Sequence, residues 1–271
     1  MHQKELTPSR RIRLIVQYDG AAFYGWQSQA GQRTVQDELE GALQRLLGLS
    51  RRVRVTAAGR TDTGVHALAM PVHFDLRHPI PTENLAVALT KFLPEEIGVL
   101  AAAEAPPSFD ARRRAILRWY RYQILRERLR RPLAPRGWRV TRPLDLERLA
   151  WGLEQLRGTH DFRGFRSSQC QGKRTVLTME QATLTEAGTL LALDFKCRSF
   201  LHHMIRFMVG SLAALAGGRL SRERFLRILE QGERPQLAAC APPGGLCLMG
   251  VAYSEAEREE LLARTPPPPS F

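Results

Sequence analysis

The chain has 271 residues, 44% of them hydrophobic, and carries 40 lysines and arginines against 27 aspartates and glutamates, a net charge of +13. That length and composition allow a sizeable core in one large or two medium domains and argue against global disorder. No apolar run approaches the roughly 18–20 residues of a membrane span, and Met1-His2-Gln3-Lys4-Glu5 opens no secretory leader, so neither export nor membrane insertion is expected.

After a basic tail, Ile12–Tyr18 alternates as a strand and is closed by the turn pair Asp19-Gly20. A glycine- and aromatic-rich loop follows, Phe23-Tyr24-Gly25-Trp26-Gln27. Thr34 with Asp37 three residues on reads as a helix cap, and Val35, Leu39, Leu43, Leu46 and Leu47 form the apolar stripe behind it. Strands are expected at Val53–Ala57, Met70–Phe74 and Ile97–Ala103, with a helix capped by Thr82 and buried through Leu85, Leu89 and Phe92. The order β-α-β-β-α-β is the ferredoxin-like pattern.

The second half repeats that order. Ala115–Leu125 reads as a strand, and Leu146–Leu156 as a helix with Asp145 at its start. A hairpin of Val176–Leu184 and Leu190–Cys197 turns at Glu186-Ala187-Gly188. Helices at Leu201–Leu215 and Arg222–Glu230, the latter capped by Ser221, precede a last strand at Leu246–Tyr253. The expected class is α+β, two ferredoxin-like halves with mainly antiparallel sheets. Segments 1–105 and 106–255 would be the two domains, joined at Pro106-Pro107, and 256–271 a proline-rich tail, with Thr265–Pro269 extended.

The charge favours a polyanionic partner, nucleic acid first and anionic membrane second. Basic clusters at Arg10-Arg11-Ile12-Arg13, Arg51-Arg52-Val53-Arg54, Arg112-Arg113-Arg114 and Arg126–Arg131 together suggest a distributed RNA-binding track, although each alone reads as a solvated face. Cys170, Cys197, Cys240 and Cys247 form no C-x-x-C pair, so a reduced setting without disulfides is expected. A zinc site from these cysteines with His202 and His203 would lack the usual ligand spacing.

Three stretches could carry chemistry. Ala58-Gly59-Arg60-Thr61-Asp62-Thr63-Gly64-Val65-His66-Ala67 lies between two strands, and Gly59 and Gly64 let the chain turn on both sides of Asp62. Asp62 is either a reacting carboxylate or a turn residue bonded to its own backbone. In Ile116–Ile124, alternation puts Tyr120 and Tyr122 on one face and Trp119 and Arg121 on the other, so Tyr120 either packs or stacks on a base. In Phe200–Gly210, Leu201, Ile205, Met208 and Leu212 form a core stripe beside which Arg206 needs either a partner or a route to water.

These stretches resemble the motifs of tRNA pseudouridine synthases of the TruA type. The first is similar to G-R-T-D-x-G-V-H, with Thr63 where alanine is usual. The second is similar to R-x-Y-R-Y, with Trp119 where arginine is common, and the third to F-x-H-H-M-x-R-x-x-x-G. Tyr18-Asp19-Gly20 with Phe23–Gln27, Asp161-Phe162 with Phe165-Arg166, and Gly245-Leu246 fall in family order, so the resemblance covers roughly residues 11–255.

The resemblance implies a pseudouridine synthase fold, a homodimer in the cytoplasm, and uridines near the base of the anticodon stem and loop of tRNA as targets. It implies Asp62 as catalytic carboxylate with Arg206 as its partner, and Tyr120 on the target uracil. It further implies Arg60 on the RNA or in the space left by the flipped base, and Leu246 in substrate binding. The isomerisation needs no redox change and no net water, so no cofactor and no metal are expected.

Two other readings compete. A non-catalytic RNA-binding protein has no need for an aspartate between turn glycines. A metal-dependent nuclease needs a second carboxylate near Asp62, and the nearest along the chain is Asp75.

Overall fold

A computed structural model describes residues 8–129, 136–168, 174–233 and 240–264. The chain divides into two compact units. One holds the described residues up to Ala115 together with Leu248–Tyr253, and the other Ile116–Cys247 together with the described residues from Ser254 on.

In the first unit β1 (Arg10–Tyr18) follows the alternation of its sequence, burying Ile12, Leu14, Val16 and Tyr18 on one face. The helix α1 (Val35–Leu46) begins where expected, with the Thr34 hydroxyl oxygen accepting from Asp37 N at 3.2 Å and donating to Asp37 Oδ2 at 2.6 Å. Its stripe of Val35, Leu39 and Leu43 is fully buried. The strands β2 (Thr56–Ala57), β3 (His66–Leu76) and β4 (Ile97–Ala105), with α2 (Leu85–Thr90) between the last two, complete the β-α-β-β-α-β order. β1 runs antiparallel between β3 and β4, and β2 adds antiparallel to β3, which gives the ferredoxin-like strand order β4-β1-β3-β2.

Two boundaries differ from expectation, each for a local reason. β2 is two residues long because the Val55 N–H goes to the buried Glu40 carboxylate of α1 at 3.0 Å instead of to a neighbouring strand. Thr82 caps no helix: its hydroxyl accepts from Arg10 at 3.1 Å and approaches Glu104 at 3.2 Å, a short 3-10 turn intervenes, and α2 starts at Leu85.

The second unit lays out β5 (Leu117–Leu125), β6 (Trp138–Arg139), α3 (Leu146–Gln155), β7 (Gly158–Asp161), β8 (Val176–Ala187), β9 (Leu190–Cys197), α4 (Met204–Ala216) and α5 (Arg222–Gln231). β5, β9, β8 and β7 pair antiparallel in that order, and β6 runs parallel to β5. Asp145 and Ser221 cap α3 and α5 through Arg148 N and Arg224 N as expected. β10 (Leu246–Ala252) starts in this unit and passes into the first at Leu248, where it joins β3.

The unit also corrects the sequence reading. Met204, not Leu201, opens α4, because His203 has a left-handed backbone (φ +61), which a right-handed helix cannot include. The stretch after residue 255 is not all tail: Ser254 caps α6 (Glu255–Ala263) through Glu257 N at 3.2 Å. At its other end the buried Lys196 ammonium donates to the carbonyls of Leu261, Leu262 and Arg264 at 2.6, 3.3 and 2.9 Å, groups a helix leaves without partners. β6 and β7 went unforeseen because two and four largely polar residues show no period. The extended segment expected at Thr265–Pro269 and Cys170 lie outside the described residues. Among the described residues, Cys197, Cys240 and Cys247 are not joined in a disulfide. No helix among the described residues is long and apolar enough to cross a membrane.

Candidate active site

The Asp62 loop is held by the loop that follows β1. Trp26 N–H donates to Thr61 O at 3.1 Å, Gly64 N–H to Phe23 O at 3.3 Å, and the Tyr18 and Thr61 hydroxyls lie 2.8 Å apart. The two segments approach so closely that side chains are excluded between them. A β-carbon on Gly20 would lie 1.9 Å from Val65 O, and one on Gly25 would lie 2.6 Å from Thr61 O and 3.1 Å from the Asp62 carbonyl carbon. Within the loop Val65 N–H closes a turn onto Asp62 O at 3.1 Å. Of its two glycines only Gly64 has a positive φ, +78, so the expected flexibility at Gly59 is not used as left-handed backbone.

Asp62 is half-buried on this loop, between buried Thr61 and exposed Thr63. His66 anchors the loop's far side: Gly20 N–H approaches its Nδ1 at 3.1 Å and Asp19 Oδ1 lies 3.0 Å from the same atom. One nitrogen cannot serve both, since a proton there suits Asp19 and a lone pair suits Gly20. Arg60 is exposed. Partial desolvation, and then the like charge of Arg112, push its guanidinium below the ordinary arginine pKa. Asp75, the second carboxylate that a nuclease would need, sits at the other end of β3. It is forked onto Arg11 at 2.9 and 3.0 Å, and those hydrogen bonds lower its pKa.

In the second unit β5 alternates as expected. Tyr120 is 7% exposed with its ring edge-on to Phe200, 5.2 Å between centroids, and the Tyr122 hydroxyl donates to Pro242 O at 2.7 Å. On the opposite face Arg121 is fully buried and forks onto Asp194 at 2.9 and 2.8 Å, while Trp119 Nε1–H donates to the same carboxylate at 2.7 Å. Arg206 is half-buried on the first turn of α4. Its Nε donates to Ala241 O at 2.8 Å and Ala241 N–H returns to Arg206 O at 3.0 Å.

The segment from Ala241 to Leu246 thus gathers three of the predicted elements. It clamps Arg206, receives the Tyr122 hydroxyl at Pro242, and sets buried Leu246 immediately after Gly245, which lies against the Tyr122 ring. Burial, the larger cause, raises the Tyr122 pKa against the pull of Arg206. The His202 and His203 rings lie with centroids 3.9 Å apart, tilted by 36°, and the His202 carbonyl accepts from Ser167 N–H at 3.0 Å.

Sequence reasoning missed the clamp at Ala241, which no local pattern marks, and the steric roles of Gly20 and Gly25, whose signal was only their place in a turn pair and in an aromatic loop.

The model of the family described as tRNA pseudouridine synthase matches residues 14–112 and 153–254. A tRNA pseudouridine synthase A of Pelobacter propionicus is 40% identical over 245 residues, which is 90% of this chain and 100% of that one. Its counterpart in Methylobacterium nodulans is 43% identical, covering 91% and 97%, and that in Neisseria meningitidis is 41% identical, covering 91% and 93%. Among solved structures, a chain in the crystal structure of a Cbf5-Nop10-Gar1 complex aligns at TM-score 0.31 and 8% identity over 74% of this chain and 53% of that one, a likeness too slight to argue from. With both segments matched and relatives aligned along nearly their whole length, the chain belongs to the tRNA pseudouridine synthase family, whose enzymes are isomerases.

Proposed function

We propose that this enzyme forms pseudouridine from uridines near the base of the anticodon stem and loop of tRNA, with Asp62 as the reacting carboxylate. The N1–C1′ bond breaks, the base rotates, and C5 bonds to C1′ with loss of the C5 hydrogen. A carboxylate can attack C1′, add to C6 or take the C2′ proton, and each route needs Asp62 ionised and held in place. Arg206 is assigned the counter-charge that keeps it ionised. Tyr120 is assigned the face of the flipped uracil and Leu246 the apolar lining beside it. Arg60, whose like-charged neighbour Arg112 makes an anion welcome, is assigned the RNA backbone. The same reading gives a cytoplasmic homodimer in which one tRNA touches both subunits.

The observation that carries the reading is the held loop: backbone hydrogen bonds and two glycine contacts fix the chain on both sides of a half-buried carboxylate. Such rigidity is what a positioned reactive group requires. A surface turn needs none of it.

The test is Asp62→Asn assayed by tritium release from tRNA labelled at uridine C5. Asparagine keeps the shape of the loop, so folding and tRNA binding are expected to persist while the rate falls by at least about 10²–10⁴. A variant releasing tritium within tenfold of the parent rate would remove Asp62 from the chemistry.

A further inference from the structure

Tyr24 is the one exposed residue among the described phenylalanines, tyrosines and tryptophans, 52% accessible, whereas its neighbours Phe23 and Trp26 are buried. It stands in the loop that clamps Asp62, on the stretch where the backbone on either side is committed to that task. Phe23 O accepts from Gly64 N–H, and Gly25 presses against Thr61 and Asp62. The segment around Tyr24 is itself pinned. Tyr24 N–H donates to Arg33 O at 2.9 Å, its carbonyl accepts from Gln29 Nε2 at 3.1 Å, and the Arg33 guanidinium lies 4.6 Å over the Phe23 ring. The Tyr24 hydroxyl makes no hydrogen bond among the described residues.

An exposed ring on a rigid loop costs little ordering entropy when a flat partner arrives, which is the property of a base-stacking platform. We propose that the Tyr24 ring stacks on an unstacked nucleobase of the RNA adjoining the uridine that reaches Asp62. The placement fits a neighbouring nucleotide: Tyr24 is one residue from Gly25, which abuts the Asp62 backbone, and it stays half exposed to solvent. Residues 23 and 25 hold the reacting loop, and residue 24 holds the strand that delivers the substrate. An enzyme acting on a base lifted from its stack leaves the flanking bases without a stacking partner, and a sequence-tolerant π-face supplies one.

The proposal rests on the functional reading above, and its experiment reads binding without turnover. An anticodon stem-loop RNA carries 2-aminopurine in place of the base on one or the other side of the target uridine, and its fluorescence is followed on titration with protein. The parent protein is expected to quench one of the two probes. Tyr24→Ala should lose that quench and weaken binding by roughly 5- to 150-fold, while Tyr24→Phe keeps both. The single-turnover rate at saturating RNA should be unchanged in Tyr24→Ala, with only the half-saturating concentration raised. Unchanged quench and affinity in Tyr24→Ala, or equal damage in Tyr24→Phe, would overturn the platform. Thermal melting of both variants separates either result from a folding defect. A parent protein that quenches the probe but releases no tritium would defeat the reaction assignment and leave the stacking site standing.

Discussion

The two units hold their candidate site residues by different means. In the first, the Asp62 loop is fixed by main chain against main chain: Trp26 N–H to Thr61 O, Gly64 N–H to Phe23 O, and glycine surfaces where β-carbons cannot fit. In the second, β5 is anchored by a charged cluster on the face away from Tyr120, with Arg121 and Trp119 both on Asp194 and Lys196 reaching the end of α6. Main-chain contacts tolerate exchange of exposed side chains but not the addition of one methyl group. A buried ion pair answers in the opposite way, since loss of either member leaves an uncompensated charge.

The largest effect outside Asp62 itself is therefore expected at Asp194. Asp194→Ala should destabilise the protein by about 3–5 kcal/mol, the usual result of stranding a buried partner, seen as a lower midpoint in urea unfolding. If the midpoint barely moves, the Arg121–Asp194 pair is not what anchors β5.

Gly20→Ala probes the other mode. Its new methyl would meet Val65 O at 1.9 Å, so the Asp62 loop must shift. A displacement of about 1 Å at a reacting group costs on the order of 10²-fold in rate, and tRNA affinity should change far less. Equal losses of affinity and rate would show that the glycine serves folding rather than placement.

Tyr120 sharpens the contrast within the second unit. Stacking is worth about 1–3 kcal/mol per base, so Tyr120→Ala should weaken engagement of the target uridine accordingly. Tyr120→Phe isolates the hydroxyl: if it turns over as slowly as the alanine variant, the hydroxyl takes part in proton transfer. If both variants match the parent, Tyr120 serves packing and not turnover.

The smallest effect is a pH dependence in the first unit. His73 is buried and its Nδ1 accepts from Ala111 N–H at 3.1 Å; burial first, then the Arg11 charge, lowers its pKa. The unfolded chain takes up this proton near the ordinary value of 6.5, and the fold refuses it. Its contribution is thus fully present above that value and is lost as pH falls from there through the folded pKa. His73→Asn, which keeps an acceptor near the same place, should flatten the slope of unfolding free energy between neutral pH and the carboxylate range. An unchanged slope would assign the acid sensitivity to carboxylates held below their ordinary pKa, Asp75 by Arg11 and Asp110, against its desolvation, by the backbone N–H groups of Arg113 and Arg112.

Much of this architecture was legible from the chain because its signals are local. Alternation marked β1 and β5, and a side-chain oxygen three residues before a free N–H marked the caps of α1, α3 and α5. Where local rules failed, a distant group had taken over. Glu40 claimed Val55 N–H, Arg10 and Glu104 claimed Thr82, and Lys196 finished a helix whose own residues show little beyond the buried Leu261.

The family and the ferredoxin-like order of elements could be read from the chain alone, and so could the candidacy of Asp62, Tyr120 and Arg206. Ordered motifs and periodicity are properties of residues close together in the chain, and they need no knowledge of what lies across the fold. How those residues are held depends on contacts across the fold: Gly20 and Gly25 act by lying against Val65 and Thr61, Ala241 clamps Arg206 at both ends, and Tyr24 is the one exposed residue among the described phenylalanines, tyrosines and tryptophans. Each of these is a contact between segments separated by tens of residues, or an exposure that depends on everything packed around it, and the chain folds its partners into place before such a contact exists.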